Sequence, residues 1–153
     1  MQKVEFPYGK KKLEYAFEEK ELAGVLTSAI GEYIPECGEE ALVQQALAAP
    51  IGSVSLAEMA KGTQNIVIIA SDHTRPVPSK VIMPAMLSQI RSGNPDADIT
   101  ILIATGCHRG TTKQELIDKF GAQIVEKENI YIHDCDEREK LVKFSKCALN
   151  FTQ

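Results

Sequence analysis

Two short polar segments of the sequence concentrate side chains that can bind an anion or move a proton. The segments are residues 71–79 and 105–112, and their reactive side chains are those of Ser71, Asp72, His73, Thr74, Arg75, Thr105, His108, Arg109, Thr111 and Thr112. An imidazole exchanges protons near neutral pH, because its ordinary pKa is about 6.5. A guanidinium holds a carboxylate through two parallel hydrogen bonds. This combination of side chains predicts a site for a small anion.

Each polar segment follows a run of mostly β-branched residues that is typical of a buried strand. The runs, residues 66–70 and 99–104, predict strands that are covered on both faces. About thirty residues separate their starts, which is the size of a βαβ unit. An apolar stripe at helical spacing between Val81 and Ile90 fits the crossover helix.

The predicted βαβ unit brings the two polar segments together. Parallel strands joined by a right-handed crossover direct their following loops to the same edge of the sheet, where ligands of open α/β sheets bind. Both segments also lead into predicted helix N-termini, whose free N–H groups and dipole favour anions. We therefore expect the loops at 71–79 and 105–112 to build one half of a small-anion site.

The other predicted elements are a hairpin, short helices and short strands. Alternating apolar residues on both sides of residues 7–10 predict an N-terminal β-hairpin with its turn there. Pro84 is expected in the first turn of the crossover helix or at a bend in it. Further helices are expected at 39–49, from Ser55 to Gly62 and up to Gly121, with strands near 130–132 and 141–144. The predicted fold class is α/β, Rossmann-like, with a mainly parallel sheet, flanking helices and an N-terminal β-hairpin.

Length and composition limit the class of protein. We expect residues 1–153 to form a single α/β domain, since 153 residues suffice for one core. The net charge of -4, with acidic and basic residues interleaved, argues against general nucleic-acid binding. No apolar run approaches the roughly 18 residues of a membrane span. The four cysteines form no C-x-x-C pair, which predicts reduced thiols and a cytoplasmic location; they are Cys37, Cys107, Cys135 and Cys147.

Structural roles are an alternative for each candidate residue. Asp72 can cap the turn with Arg75 as its surface ion-pair partner, and His108 can be a satisfied polar residue. Gly106 favours a functional role for His108, because glycine permits a close or strained backbone approach. In the second segment, Thr111 or Thr112 can cap the next helix, and Arg109 can be solvated.

Three other features of the sequence do not indicate a functional site. The run 133–137 contains groups that can ligate a metal, yet such runs are usually polar turns, and we predict no metal there. A Cys107–His108 nucleophile pair is disfavoured, because neighbours in an extended loop point apart. The glycine-rich phosphate motifs are absent, which disfavours a nucleotide held in the ordinary Rossmann or P-loop manner.

The two polar segments also carry a family resemblance. The string SDHTRPVPS at 71–79, and ATGCHR at 104–109 followed by threonines and Glu115, closely resemble the N-terminal domain of the nickel-dependent lactate racemase family. The opening Phe6-Pro7-Tyr8 hairpin, the run 65–70 and the helix stop at Gly121 are similar too. The resemblance covers essentially the whole chain.

This resemblance implies a reaction and a cofactor. Family members are two-domain α/β proteins that hold, between the domains, a nickel-pincer nucleotide (nickel pyridinium-3,5-bisthiocarboxylate mononucleotide). The cofactor takes a hydride from Cα of a small 2-hydroxyacid, leaves a keto acid, and returns the hydride to either face. The implied activity is that of a 2-hydroxyacid racemase or epimerase, with lactate as the favoured substrate.

The resemblance also implies roles for particular residues. His108 matches one of two histidines that exchange the hydroxyl proton. The cofactor-contacting loop matches Asp72, His73, Thr74 and Arg75. Arg75 is implied to orient the substrate carboxylate, and Asp72 is expected to fix the rotamer of Arg75.

Relatives in this family continue far beyond the length of this chain. Their second proton-exchanging histidine, the lysine that tethers the cofactor and the histidine that ligates nickel all lie further along the chain, so none is expected here. The expected partner is the C-terminal domain of the same full-length protein, and the chain alone is predicted to be inactive. The alternatives are a non-catalytic domain that binds a phosphate or carboxylate, and a fold that retains no chemistry.

Overall fold

The computed structural model describes residues 1–137 and residue 139. The chain divides into two compact units, Met1–Glu36 and a second that begins at Cys37. The strand expected near 141–144, as well as Cys147, lies outside the described residues. Within the described part, Cys37, Cys107 and Cys135 are free thiols. No helix in that part is long and apolar enough to cross a membrane.

The first unit contains the expected β-hairpin. Strand β1 (Gln2–Tyr8) pairs antiparallel with β2 (Lys11–Phe17), and a short 3-10 helix follows at Ala29–Glu32. The turn is shorter than predicted, because Pro7 lies in β1 opposite Lys12. A proline is tolerated there, since each strand of a two-stranded ribbon has an open edge. Gly9 has φ +58°, which tight hairpin turns require.

The second unit contains a parallel sheet with helices. Its strands are β3 (Asn65–Ser71), β4 (Asp98–Ala104) and β5 (Asn129–Ile132), in the order β3-β4-β5. Both neighbouring pairs are parallel. The helices are α1 (Glu39–Ala48), α2 (Leu56–Ala60), α3 (Ser79–Gly93), α4 (Lys113–Phe120) and α5 (Ala122–Lys127). The predicted α/β class and the β3–α3–β4 unit are confirmed. Helix α5 is not predicted from the sequence, because Gly121 indicates only the end of α4.

The core of the second unit lies on one face of this sheet. Its buried apolar side chains are Ala60, Ile68, Ala70, Met83, Leu87, Ile90, Ala97, Ile99, Ile101, Ile103, Leu116 and Phe120. On the other face of β3, Val67 and Ile69 are 59% and 72% exposed. The prediction that β3 is covered on both faces is therefore wrong for the described residues, because the core helices pack on the Ile68 side alone.

The ends of the helices follow local signals in the sequence. Helix α2 begins where the hydroxyl of Ser55 accepts a hydrogen bond from the N–H of Glu58. Helix α3 ends at Gly93, and the Asn94 side chain then donates to the carbonyls of Ala60 and Thr63. Pro84 lies inside α3 rather than in its first turn, because the helix already begins at Ser79.

Candidate functional site

Strands β3 and β4 end side by side. Their last residues, Ser71 and Ala104, are register partners in the parallel ladder. The loops that follow therefore leave the same edge of the sheet, as the sequence predicts. Between them lies a cleft of about 470 Å³, lined by Ile69, Ala70, Ser71, Asp72, Arg75, Ala104, Thr105, Gly106, Cys107 and His108.

Asp72 is a buried carboxylate at the first position after β3. Its Oδ1 accepts hydrogen bonds from the hydroxyl of Thr74 at 2.7 Å and from the N–H of Thr74 at 3.1 Å. These bonds are typical of an aspartate that closes a turn. The Thr74 hydroxyl, followed by His108, holds the pKa of Asp72 well below its usual range. Asp72 is therefore ionised at neutral pH.

The second oxygen of Asp72 engages His108. Oδ2 of Asp72 lies 2.6 Å from Nδ1 of His108, and the side chains of Asp72 and His108 are 2% and 47% exposed. An ionised carboxylate only accepts hydrogen bonds, so Nδ1 of His108 is the donor. In the neutral ring, Nε2 then carries the free lone pair. The Thr74 hydroxyl oxygen lies 3.4 Å from the same Nδ1 and supports this orientation.

A tight turn presents His108 to the cleft. The N–H of His108 donates to the carbonyl of Thr105 at 3.0 Å. Gly106 lies in this turn at φ +60°, a conformation that side chains of L-amino acids rarely adopt. The glycine is therefore needed for the backbone path that places His108 beside Asp72.

Arg75 lines the same cleft, but it does not pair with Asp72. The prediction that the Asp72 carboxylate contacts the Arg75 side chain is wrong: the carboxylate is bonded to Thr74 and His108, and no ion pair among the described residues includes Arg75. The Arg75 backbone is held instead, because Nζ of Lys119 donates to its carbonyl at 2.9 Å. The guanidinium thus remains available to a ligand.

His73 and the end of the second loop form a separate polar cluster. Nδ1 of His73 lies 3.2 Å from the hydroxyl of Thr111, and Nε2 lies 3.8 Å from Glu115. Arg109 binds both oxygens of Glu115, at 2.6 and 2.9 Å, while its side chain is 60% exposed to solvent. This ion pair lowers the pKa of Glu115, and Thr112 caps α4 through a reciprocal capping box with Glu115.

The polar cluster borders a second, smaller cavity. This cavity measures about 330 Å³ and is lined by His73, Arg75, Val77, Glu115, Asp118 and Lys119. Of the residues expected to contact a cofactor, Asp72 and Arg75 thus line the main cleft with His108. Thr74 supports Asp72, and His73 faces the smaller cavity. Arg75 borders both.

Sequence reasoning missed one contact beside the main cleft. Thr105, which lines the cleft, is hydrogen bonded to His133, the residue that follows β5. The run 133–137 predicts only a polar turn, although the position of His133 directly after a predicted strand is a signal for this site. In the same run, ligand atoms of Asp134, Cys135 and Asp136 lie within 4.8 Å of one another. The N–H of Asp136 donates to Asp134, as in an ordinary turn.

Comparisons with known proteins show the family of this chain. The sequence model of the lactate racemase N-terminal domain family matches residues 8–150. The chain belongs to this family. It is 47% identical over 141 residues to a lactate racemase of Thermoanaerobacterium thermosaccharolyticum, covering 92% of this chain and 33% of that protein. It is 43% identical over 143 residues to one from Lactiplantibacillus plantarum, covering 94% and 34%.

A solved lactate racemase structure has the same fold. The apoprotein from Thermoanaerobacterium thermosaccharolyticum matches with a TM-score of 0.77 at 47% identity, over 87% of this chain and 30% of that one. As a lactate racemase N-terminal domain, the chain spans about a third of the length of the curated relatives it matches. The hairpin, parallel sheet and flanking helices are therefore those of this family.

Proposed function

We propose that the chain is the N-terminal part of a racemase that interconverts the D and L forms of a 2-hydroxyacid, with lactate as the favoured substrate. The observation that carries this proposal is the Asp72–His108 pair, at 2.6 Å, on a cleft that Arg75 also lines. The relatives that bear the name lactate racemase support the same reaction class. The active form in this proposal is a longer polypeptide, completed by its C-terminal domain.

His108 is assigned the proton transfer of this reaction. Because Asp72 accepts a hydrogen bond from Nδ1–H of His108, Nε2 of the neutral ring can take the hydroxyl proton of the substrate. The imidazolium that forms lies against the ionised Asp72, which stabilises its positive charge. The same Nε2 returns the proton when the hydroxyl is restored. One histidine can thus serve as base and then as acid on the substrate face that it borders.

Arg75 is assigned the binding of the substrate carboxylate. Arg75 lines the cleft, and its guanidinium has no ion-pair partner among the described residues. A guanidinium binds a carboxylate through two parallel hydrogen bonds, which also fixes the orientation of the acid. A 2-hydroxyacid held in this way presents its hydroxyl to an imidazole on the same cleft.

Among the described residues, the main cleft holds no cluster of side chains that could ligate the nickel of a nickel-pincer nucleotide. The one group of clustered metal-ligand atoms in the described part of the chain lies at Asp134–Asp136, and none of these residues lines the cleft. Asp72 and Arg75, with His73 at the neighbouring cavity, would contact the nucleotide, and Thr74 would act through Asp72. Nickel ligands and the covalent tether would have to come from outside the described residues. When bound, the group supplies a hydride acceptor for the substrate Cα. The chain alone is therefore proposed to be inactive.

The test uses the full-length protein that carries this chain, loaded with cofactor. We expect His108→Ala to lower the rate of lactate racemisation by about a hundredfold or more, the usual range for a lost acid–base group. Lys80→Ala is the control: Lys80 is an exposed cation at the start of α3 and does not line the cleft. Unchanged racemisation in His108→Ala would exclude the assigned role. A wild-type protein that binds lactate or inorganic phosphate without interconverting enantiomers would instead be a binding protein.

A further inference from the structure

His133 connects the end of β5 to the loop that follows β4. Its N–H donates to the carbonyl of Ile103 at 3.1 Å, which continues the β4–β5 pairing by one residue. Its carbonyl accepts a hydrogen bond from the hydroxyl of Thr105 at 2.7 Å, and its Nδ1 lies 3.0 Å from the same hydroxyl oxygen. Thr105 is 2% exposed, so these bonds are shielded from water.

The direction of both hydrogen bonds follows from the chemistry of the groups. A carbonyl oxygen can only accept, so the Thr105 hydroxyl uses its single proton on the His133 carbonyl. The Thr105 oxygen must then accept from Nδ1 of His133. The neutral His133 ring therefore carries its proton on Nδ1, and Thr105 has both a donor and an acceptor partner on one residue. Such a fully satisfied buried contact is rigid.

Thr105 is also the first residue of the turn that presents His108. Its carbonyl accepts the N–H of His108 at 3.0 Å. The next three residues of the turn, Gly106, Cys107 and His108, are exposed, so Thr105 is the buried end of the turn. The path from the sheet to the imidazole thus runs from Ile103 through His133 and Thr105 to His108.

We propose that His133 is a positioning residue, which acts through Thr105 to hold the turn that carries His108. This inference rests on the proposed function, since the role of His133 is to support proton transfer by His108. A proton acceptor must stay within hydrogen-bonding distance of the reacting hydroxyl in both directions of the reaction. Asp72 fixes the ring of His108, and His133 fixes the backbone from which that ring projects. Loss of the His133 side chain displaces the turn, so the Asp72–His108 pair is no longer correctly oriented toward the reacting hydroxyl.

Three substitutions of His133 separate positioning from simple packing. His133→Ala removes the Nδ1 donor. His133→Asn places an amide N–H where Nδ1 lies, and His133→Gln places it nearer to the position of Nε2. At the other end of the contact, Thr105→Val removes the hydroxyl at nearly constant volume, whereas Thr105→Ser keeps it. We expect His133→Asn and Thr105→Ser to behave like the wild type. His133→Ala, His133→Gln and Thr105→Val are expected to share one defect, the displacement of the turn that carries His108.

Two readouts are measured on the full-length protein. The first is hydrogen exchange of the His108 amide, which requires no bound cofactor. We expect exchange to be about tenfold faster in His133→Ala, the upper end of the effect of losing one net hydrogen bond. The second is steady-state racemisation by the loaded enzyme, in which kcat falls about tenfold or more while KM stays within about twofold. Thermal unfolding of each variant confirms that the protein is folded.

The outcomes are distinct for the inference and for the proposed function. Faster His108 exchange and lower kcat in His133→Ala, both restored in His133→Asn, support positioning. Unchanged His108 exchange, or faster exchange with unchanged kcat, overturns it. An equal defect in His133→Asn and His133→Gln also overturns it, because packing alone then explains the effect. Failure of the proposed function appears differently, as a loaded wild-type protein that does not racemise a 2-hydroxyacid.

Discussion

Oδ2 of Asp72 lies 2.6 Å from Nδ1 of His108, although 36 positions separate the two residues in the sequence. The contact decides which nitrogen of the ring can accept a proton. Because Asp72 is ionised and accepts at Nδ1, the free lone pair of neutral His108 is on Nε2. The pair resembles the orienting carboxylate and histidine base of other acid–base sites.

Asp72→Asn is expected to impair the proton transfer more than substrate binding. The asparagine amide can donate to Nδ1, which favours the opposite tautomer and places the ring proton on Nε2. A similar tautomer change in a catalytic triad lowers kcat by about 10⁴, and we expect a loss on the order of 10²–10⁴ here. The measurements are racemisation kinetics and ¹⁵N shifts of the His108 ring. Asp96→Asn, at an exposed carboxylate between α3 and β4, is the control. Full activity in Asp72→Asn would contradict the role assigned to the Asp72–His108 pair.

Arg75→Ala is expected to weaken binding of the 2-hydroxyacid. Loss of charge-assisted hydrogen bonds raises KM by about tenfold or more. Arg75→Lys restores the charge but not the forked geometry, so its KM lies between those of the wild type and Arg75→Ala. Lys80→Ala, which removes an exposed cation at the start of α3, leaves KM unchanged. Equal KM values for Arg75→Ala and the wild type would remove Arg75 from the substrate site.

Glu115→Gln is expected to change how stability depends on pH. The pKa of Glu115 is lowered in the folded protein, chiefly by Arg109, so its charge stabilises the fold above the unfolded pKa of about 4.3. This contribution is lost as the pH falls through the lower folded pKa. Glutamine can still complete the capping box with Thr112. In urea unfolding, the stability difference between the wild type and Glu115→Gln therefore shrinks below about pH 4. A difference that is constant or larger in acid would be inconsistent with the Arg109–Glu115 pair.

Gly93→Ala is expected to destabilise the second unit through packing between helices. A Cβ at Gly93 would lie within 1.9 Å of the carbonyl oxygen of Ala57, so the backbones of α2 and α3 must move apart. Overpacking of this kind typically costs about 1–3 kcal/mol. Gly110→Ala is the matched control, because its Cβ would meet only the Ile132 side chain at 3.9 Å. Chemical denaturation measures both variants, and equal stabilities would refute the close approach.

The sequence predicts most of the scaffold because its signals are local. The β-branched runs predict β3 and β4, and the loops after parallel strands must leave the same edge. The prediction that both faces of β3 are buried is wrong, because an apolar run does not reveal which other elements pack on each face of the strand. Val67 and Ile69 are accordingly exposed in the described part of the chain.

The partners within the site were harder to predict. Sequence reasoning identified Asp72, Arg75 and His108 but paired Asp72 with Arg75, its neighbour along the chain. The observed pairing with His108 depends on the strand register and on the positive φ of Gly106, and both are consequences of tertiary structure. His133 was missed for the same reason, since its contact with Thr105 forms only between neighbouring strands.

The parallel register of β3 and β4 also determines when the site can form. Ser71 and Ala104 become neighbours only after the intervening crossover has folded, and such non-local pairing is slow compared with helix formation. A peptide copied from either loop therefore lacks the carboxylate–imidazole pair, whatever its sequence. A growing chain on the ribosome acquires the pair only after β4 has emerged and docked. Grafting the loops onto another scaffold would require a strand pair that ends in the same register.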